Sequence, residues 1–278
     1  TNIDYDHMDL LGDTLEQIAL AKSGIIKPFT PVVCGTMAEG PRAVVAARAT
    51  ELNAPLLLIE RDYEVSEIVQ TGFATACSIR VGPRRWDEVK VNSPAAFMAF
   101  NAAHALVAYE VLRRRGLVQN LADSDLRTVF ERTDLGACCE VFSGSPTILV
   151  NGAHNGPAIA QLKTTLRHTF EGRRRILVVS IARDKEYGTM IRHLAQTGAD
   201  RLILTSCPRE TALDPALLAE QWRTHSHVAA EILDEPDVAL ARAIQAAGSL
   251  GVVVVTGSVQ LAGLARNSHL ALSHVASE

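Results

Sequence analysis

Two α/β units are predicted from three features of the sequence. Short aliphatic segments alternate with amphipathic ones from residue 147 to residue 256, the rhythm of strands and helices in a parallel sheet. A shorter succession of strand, helix and strand runs from residue 31 to residue 59. Hydrophobic residues make up 47% of the chain and aromatics only 5%, the profile of a compact, aliphatic-rich protein. Its 278 residues suffice for two cores.

Each element has its own signal. From Asp13 to Lys22 the residues Leu15, Ile18, Ala19 and Ala21 recur at helical spacing, with Asp13 or Thr14 as cap and Gly24 just past the end. Strands are predicted at Pro31 to Cys34 and Pro55 to Ile59, around a helix from Pro41 to Leu52. Ala74 to Val81 and Trp86 to Val91 read as strands joined at Gly82-Pro83. A long helix from Pro94 to Arg115 follows, then a shorter one from Asp123 to Glu131, capped by Asp123 or Ser124.

Thr133 to Pro146 breaks this pattern with polar and small residues, two glycines and a proline, so a linker is placed at 134–146. Beyond it strands are predicted at Thr147 to Val150, Arg175 to Ser180, Arg201 to Thr205, near Val228 to Ile232, and at Gly251 to Thr256. Helices at Gly156 to Phe170, Tyr187 to Gln196, Asp214 to Thr224 and Glu235 to Ala247 separate them, which makes a Rossmann-like, mostly parallel sheet. The last dozen residues read as a loosely held tail.

Composition excludes several functions. A net charge of −4 lacks the basic footprint of a nucleic-acid binder. The runs Arg113-Arg114-Arg115 and Arg173-Arg174-Arg175 read as a solvated helix end and a loop. Five cysteines without a CxxC pattern, two of them adjacent, predict a reducing compartment, and the expected location is cytoplasmic. No apolar run is long enough to cross a bilayer; the best, Gly251 to Val255, reads as a buried strand.

The opening segment sets His7 among carboxylates, followed by Lys22 in Ala21-Lys22-Ser23-Gly24-Ile25. Read singly, His7 is a packed or surface histidine and Lys22 a lysine complementing a helix dipole. Together, Asn2, Asp6, His7, Leu11-Gly12-Asp13-Thr14, Glu16, Ile18, Ala19, Lys22, Gly24-Ile25 and Lys27-Pro28 form an ungapped string. It resembles the signature of the Mur ligase superfamily, in the wording of the folylpolyglutamate and dihydrofolate synthases.

That resemblance implies the end of a central Mur-ligase-type ATPase domain (1–133), the linker, and a C-terminal Rossmann-like domain (147–278). It further implies that His7 ligates the second of two Mg²⁺ ions and that Lys22 is carbamylated. A carbamate is the hard oxygen ligand Mg²⁺ prefers, whereas an ammonium would repel the ion. Carbamylation needs the neutral amine, so Lys22 is expected where burial or a nearby cation favours it.

Ile148 to Asn155 resembles the family's strand ending in a DGAHN-type turn. There the aspartate, here Asn151, touches the ATP ribose, and the histidine, here His154, lies near the phosphates. Asp184-Lys185 and Thr256-Gly257-Ser258 resemble the next strand end and the final one. All three are predicted at carboxyl ends of parallel strands, where α/β sheets bind ligands. Asn101-Ala102 resembles the adenine-contacting asparagine segment.

Four departures stand out. Phe97 and Met98 replace a His-Gln pair, Ala137 follows Gly136 where the family has an arginine, Asn151 replaces aspartate, and no G-x-x-x-x-G-K-[ST] loop occurs. The reading places that loop upstream of Thr1 and makes this chain a fragment, inactive by itself. In the intact protein the resemblance implies an ATP- and Mg²⁺-dependent ligase, a monomer joining glutamate to a folate or pteroate carboxylate through an acyl phosphate. His154 and Lys22 would be catalytic, His7 and Lys22 would hold metal, and Asn101, Asn151, Asp184 and Ser258 would hold the nucleotide. A non-catalytic binding protein on the same scaffold and an amide ligase with another substrate stay open. A nicotinamide-dependent oxidoreductase ranks below them, because no G-x-G-x-x-G follows a strand.

Overall fold

The computed structural model describes residues 2–6, 8–208 and 210–275. It divides into two compact units, Thr1–Thr133 and Asp134–Glu278.

In the first unit, the short helix α1 (Met8–Leu11) leads into α2 (Leu15–Ser23). Thr14 is the cap, and it forms a reciprocal capping box with Gln17. Next come β1 (Val32–Cys34), α3 (Glu39–Glu51) and β2 (Leu56–Leu58), in which β1 and β2 pair in parallel. Ile18, Ala19, Val45, Ala49 and Leu58 close a small core between these helices and strands.

An antiparallel sheet follows, β3 (Tyr63–Thr71), β4 (Ala74–Val81) and β5 (Arg84–Val91), in the order β3-β4-β5. Its first strand was not foreseen, because Tyr63 to Thr71 mixes three charged or amide side chains with apolar ones and is irregular between Ser66 and Val69. Then come α4 (Phe97–Arg114) and α5 (Asp123–Arg132). Asp123 does not cap α5. Its carboxylate instead accepts hydrogen bonds from Trp86 Nε1 and Arg84 Nη2, both at 2.9 Å, which docks the helix on β5.

The arginine run ending α4 is likewise more than a solvated terminus. Glu110, with 1% of its side chain exposed, receives Arg113 at 2.7 Å, Arg114 at 2.9 Å and Arg84 at 3.0 Å. A carboxylate so buried persists only because these guanidiniums compensate its desolvation.

The second unit is an α/β sandwich built on six strands. They are β6 (Glu140–Phe142), β7 (Thr147–Val150), β8 (Arg175–Val179), β9 (Arg201–Leu204), β10 (Ala230–Ile232) and β11 (Val252–Thr256). The helices are α6 (Gly156–Thr169), α7 (Tyr187–Ala195), α8 (Pro215–Arg223), α9 (Pro236–Ala247) and α10 (Val259–Val275). The strand order is β10-β9-β8-β11-β7-β6, parallel except for β6.

The segment read as a linker thus belongs to the second unit. β6 pairs antiparallel with β7, and Arg266 of α10 holds it by bonds to Glu140 at 2.9 Å and Asp134 at 3.0 Å. The region read as a tail carries α10 through Val275.

Ile148, Val150, Ile176, Val178, Val253 and Val255 pack under α9 and α10. Because strand side chains alternate, Leu149, Leu177 and Val254, also fully buried, face the other way, on the side of α6, α7 and α8.

The Glu110 cluster gives a pH prediction. Its arginines hold the carboxyl down to about 2 from an ordinary 4.5, Arg113 contributing most and burial opposing. A depressed carboxyl stabilises the fold fully above its unfolded value, and that contribution is lost as pH falls from 4.5 towards 2. In the full-length protein Glu110→Gln is expected to cost about 3 kcal/mol at neutral pH. Urea unfolding should show that gap closing as the solution is acidified; a gap independent of pH would place the cost in packing instead of charge.

Candidate functional site

β11 decides where the second unit can take a ligand. After β7 and β8 the chain turns into α6 and α7 on one face, whereas after β11, which lies between them, it turns into α10 on the other. Loops that leave in opposite directions open a crevice at the carboxyl ends of the strands, the topological switch point of an open sheet.

The turns on its rim are stitched together by backbone. Asn151 N–H donates to Val255 O at 2.9 Å, Gly257 N–H to Ala153 O at 2.9 Å, and Ser180 N–H to Thr256 O at 3.4 Å. Gly257 has φ +93°, and a Cβ there would fall 2.5 Å from Ser180 O. Both the left-handed conformation and the close approach require glycine.

Asn151 is 7% exposed, and both ends of its amide are engaged. Oδ1 accepts the Ala153 N–H at 2.9 Å and Nδ2 donates to Cys139 Sγ at 2.8 Å. Burial pushes the Cys139 thiol up to about 12, so the partner is a neutral thiol. His154, three residues on, is half-buried, and its Nδ1 lies 2.9 Å from Gly152 O. A carbonyl only accepts, so Nδ1 carries the proton, and in the neutral ring Nε2 is the acceptor. Asn155 then caps α6 by accepting Ala158 N–H at 2.9 Å, with a proline in the first turn.

Ser258, 3% exposed, serves α10 in the same way, accepting the N–H groups of Gln260 at 3.2 Å and Leu261 at 3.4 Å. Asp184 differs: its side chain is 64% exposed, 3.6 Å from Lys185 Nζ. Asn151, His154, Asp184 and Ser258 therefore share one rim, but they divide the work. Asn151 and Ser258 shape turns with inward-facing groups, His154 is half-buried beside them, and Asp184 exposes its carboxylate to solvent. With the amino ends of α6 and α10 both opening there, the crevice suits an anion such as a phosphate.

The remaining sites lie on the first unit. Lys22 occupies the last turn of α2 and is exposed, so the burial expected for carbamylation is missing from the described residues. Asn101 sits in the second turn of α4 with Nδ2 3.6 Å from Met98 Sδ, and Met98 itself is 2% exposed. His7 lies outside the described residues. Among the described residues no three His, Cys, Asp or Glu side chains cluster to hold a metal, and no helix is long and apolar enough to cross a membrane.

Sequence reasoning missed Gly257 as the collar of the site and Cys139 as the partner of Asn151. It also gave no role to the other polar residues that end parallel strands, Ser180 and Thr205, both 0% exposed. Their signal was present, since each directly follows an aliphatic run.

Known proteins share this architecture. Residues 139–259 match the family model described as the Mur ligase, glutamate ligase domain. The chain is 26% identical over 262 residues to the dihydrofolate synthase/folylpolyglutamate synthase of Bacillus subtilis, covering 93% of this chain and 59% of that protein. It is 27% identical over 278 residues to the folylpolyglutamate synthase of Lacticaseibacillus casei, covering 97% and 61%. In fold it resembles the folylpolyglutamate synthase of Mycobacterium tuberculosis solved with ADP and AMPPCP, with a TM-score of 0.84 and 23% identity over 96% of this chain and 62% of that one. The chain thus spans about three fifths of the curated relatives it matches. The second unit thus matches the Mur ligase, glutamate ligase domain over residues 139–259, and the chain as a whole is similar to folylpolyglutamate and dihydrofolate synthases.

Proposed function

We propose that the full-length protein carrying this chain is an ATP-dependent ligase that adds glutamate to a folate or pteroate carboxylate through an acyl phosphate. One observation supports this above the others: the relatives matched over nearly the whole chain are folylpolyglutamate and dihydrofolate synthases, and the turns after β7, β8 and β11 meet at one strand-end crevice. ATP would supply the phosphoryl group that activates the acid.

This chain's own residues would do the following. The amino ends of α6 and α10 orient phosphate oxygens at the crevice. His154, its Nδ1 tied to Gly152 O, offers Nε2 as a fixed polar contact beside them. Asp184, exposed after β8, would contact the nucleotide. Asn151 and Ser258 act indirectly, by holding the turns that carry these groups.

For Mg²⁺ the residues on view do not assemble a donor set: Lys22 is exposed and His7 lies outside the described residues. The roles of His7 and carbamylated Lys22 are proposed on the opening signature alone, and no step is routed through the ion.

A non-catalytic relative is the second reading. It is favoured by Met98, whose buried side chain engages Asn101 where the family's pattern has a polar residue.

Phosphate release by the full-length protein, measured with dihydropteroate or tetrahydrofolate plus glutamate and ATP, separates the two. The ligase reading expects turnover, reduced about 100-fold or more by His7→Ala and by Lys22→Ala. Absence of turnover with any of these acids would leave the binding protein or an amide ligase with another substrate.

The collar gives a separate prediction. Gly257→Ala is expected to destabilise the protein by about 1–3 kcal/mol and to raise KM for ATP more than it lowers kcat, since strain there displaces the rim. An unchanged KM would detach the crevice from the nucleotide.

A further inference from the structure

The opposite end of the second sheet carries a feature that the ligase reading does not use. Where α6 gives way to β8 the chain runs Gly172-Arg173-Arg174-Arg175, and two cavities adjoin it. One, of about 520 Å³, is walled by all three arginines with Gly198 and Asp200. The other, of about 850 Å³, shares Gly172, Arg173 and Arg174 and is closed by Gly144 and the 249–251 turn.

The charge state of these arginines sets them apart. Arg84, Arg113, Arg114, Arg242 and Arg266 all meet carboxylates. Arg173 instead bonds Leu250 O at 2.9 Å, Gly251 O at 2.7 Å and Thr147 Oγ1 at 2.9 Å. Arg175 bonds Thr197 O at 2.6 Å and Phe170 O at 2.8 Å, and its Nε is buried without a partner. Arg174 is exposed and makes no side-chain bond among the described residues. The one carboxylate lining the cavities, Asp200, accepts the backbone N–H of Arg175 at 2.8 Å.

Neutral carbonyls fix the guanidiniums in place but leave their charge uncompensated. The result is a preorganised positive basin in a chain whose net charge is −4. Glycine adds room: at Gly172, φ +70°, an added Cβ would meet nothing within 4 Å.

We propose that this amino-end basin binds a small oxyanion of two or more negative charges, with Arg174 as its mobile contact and Arg173 as its fixed one. The fork of Arg174 matches a pair of phosphate or carboxylate oxygens, while Arg173, whose Nε and Nη2 are engaged, adds its charge and Nη1 beside it, a combination that favours a ligand with several such oxygens. The site lies across the sheet from the strand-end crevice, so occupancy does not compete with a nucleotide there. The proposal does not depend on the ligase reading.

Calorimetric titration of the full-length protein, with AMPPCP at saturation to occupy any nucleotide site, tests it. Inorganic pyrophosphate and citrate serve as separate probes, so that a phosphate ligand is told from a polycarboxylate. At least one is expected to bind saturably, more weakly in added salt, and about tenfold more weakly in Arg174→Ala. Arg174→Lys should recover part of the loss, because a point charge remains without the fork. Arg174 is exposed, so both variants are expected to fold. Failure of both probes to saturate, or equal binding by wild type and Arg174→Ala, overturns the proposal. If AMPPCP fails to bind while the Arg174-dependent isotherm persists, the ligase reading falls and this one stands.

Discussion

The confinement of β11 governs the second unit. Its valines 252 to 255 are all fully buried, hydrogen-bonded to β7 on one side and β8 on the other. A strand so enclosed has no freedom of register: a slip of one residue would exchange every side chain between the two cores. Its end is therefore fixed against Asn151 on one flank and Ser180 on the other. Gly257 then has to pass within contact of the Ser180 carbonyl, which no other residue does at this φ. The location of the crevice, the capping of α10 by Ser258 and the spacing of the rim all follow from that one insertion.

A fixed rim made of buried backbone brings an electrostatic constraint, because polar groups withdrawn from water need partners. Several strand ends supply them locally, although Thr256 Oγ1, at the end of β11, is buried without a partner. Ser180 Oγ donates to Cys207 O at 3.0 Å, Thr205 Oγ1 to Asp234 O at 3.3 Å, and Asn151 bridges Cys139 to Ala153. This changes the meaning of Asn151. Beside a neutral buried thiol an amide is satisfied, whereas a carboxylate would bury a charge against only the weak S–H donor. The departure from the family's aspartate is compensated inside this turn, and the turn survives it.

What was legible in the sequence follows from burial. Strands covered on both faces read as aliphatic runs, so β7, β8, β9 and β11 were found nearly to the residue. The start of α2 was legible because its cap is local, Thr14 being one of the two residues expected there, whereas the reciprocal bond from Gln17 was not foreseen. Losses came where the deciding partner is distant. β6 is three half-buried residues, recognisable only through its pairing with β7. The arginines after α4 look like a dipole-complementing end until Glu110 is seen to be buried beneath them. Asp123 looks like a cap until Trp86, far away in sequence, claims its carboxylate. At the site, the resemblance named positions, but which groups face inward depended on Cys139 and Ala153 and could not be read.

The exposure of Lys22 is best weighed against its surroundings. Leu20 is 64% exposed, Ile25 80% and Phe29 71%, and β1 and β2 are only half-buried over most of their length. Parallel strands are stable when both faces are covered, a condition the second unit meets and this pair does not. Large apolar side chains left in water cost free energy of the order of 25 cal/mol per Å². Lys22 therefore shares its exposure with an apolar stretch, which makes that exposure a property of the whole face. A contact that covered Ile25 and Phe29 would remove that apolar surface from water and relieve this cost.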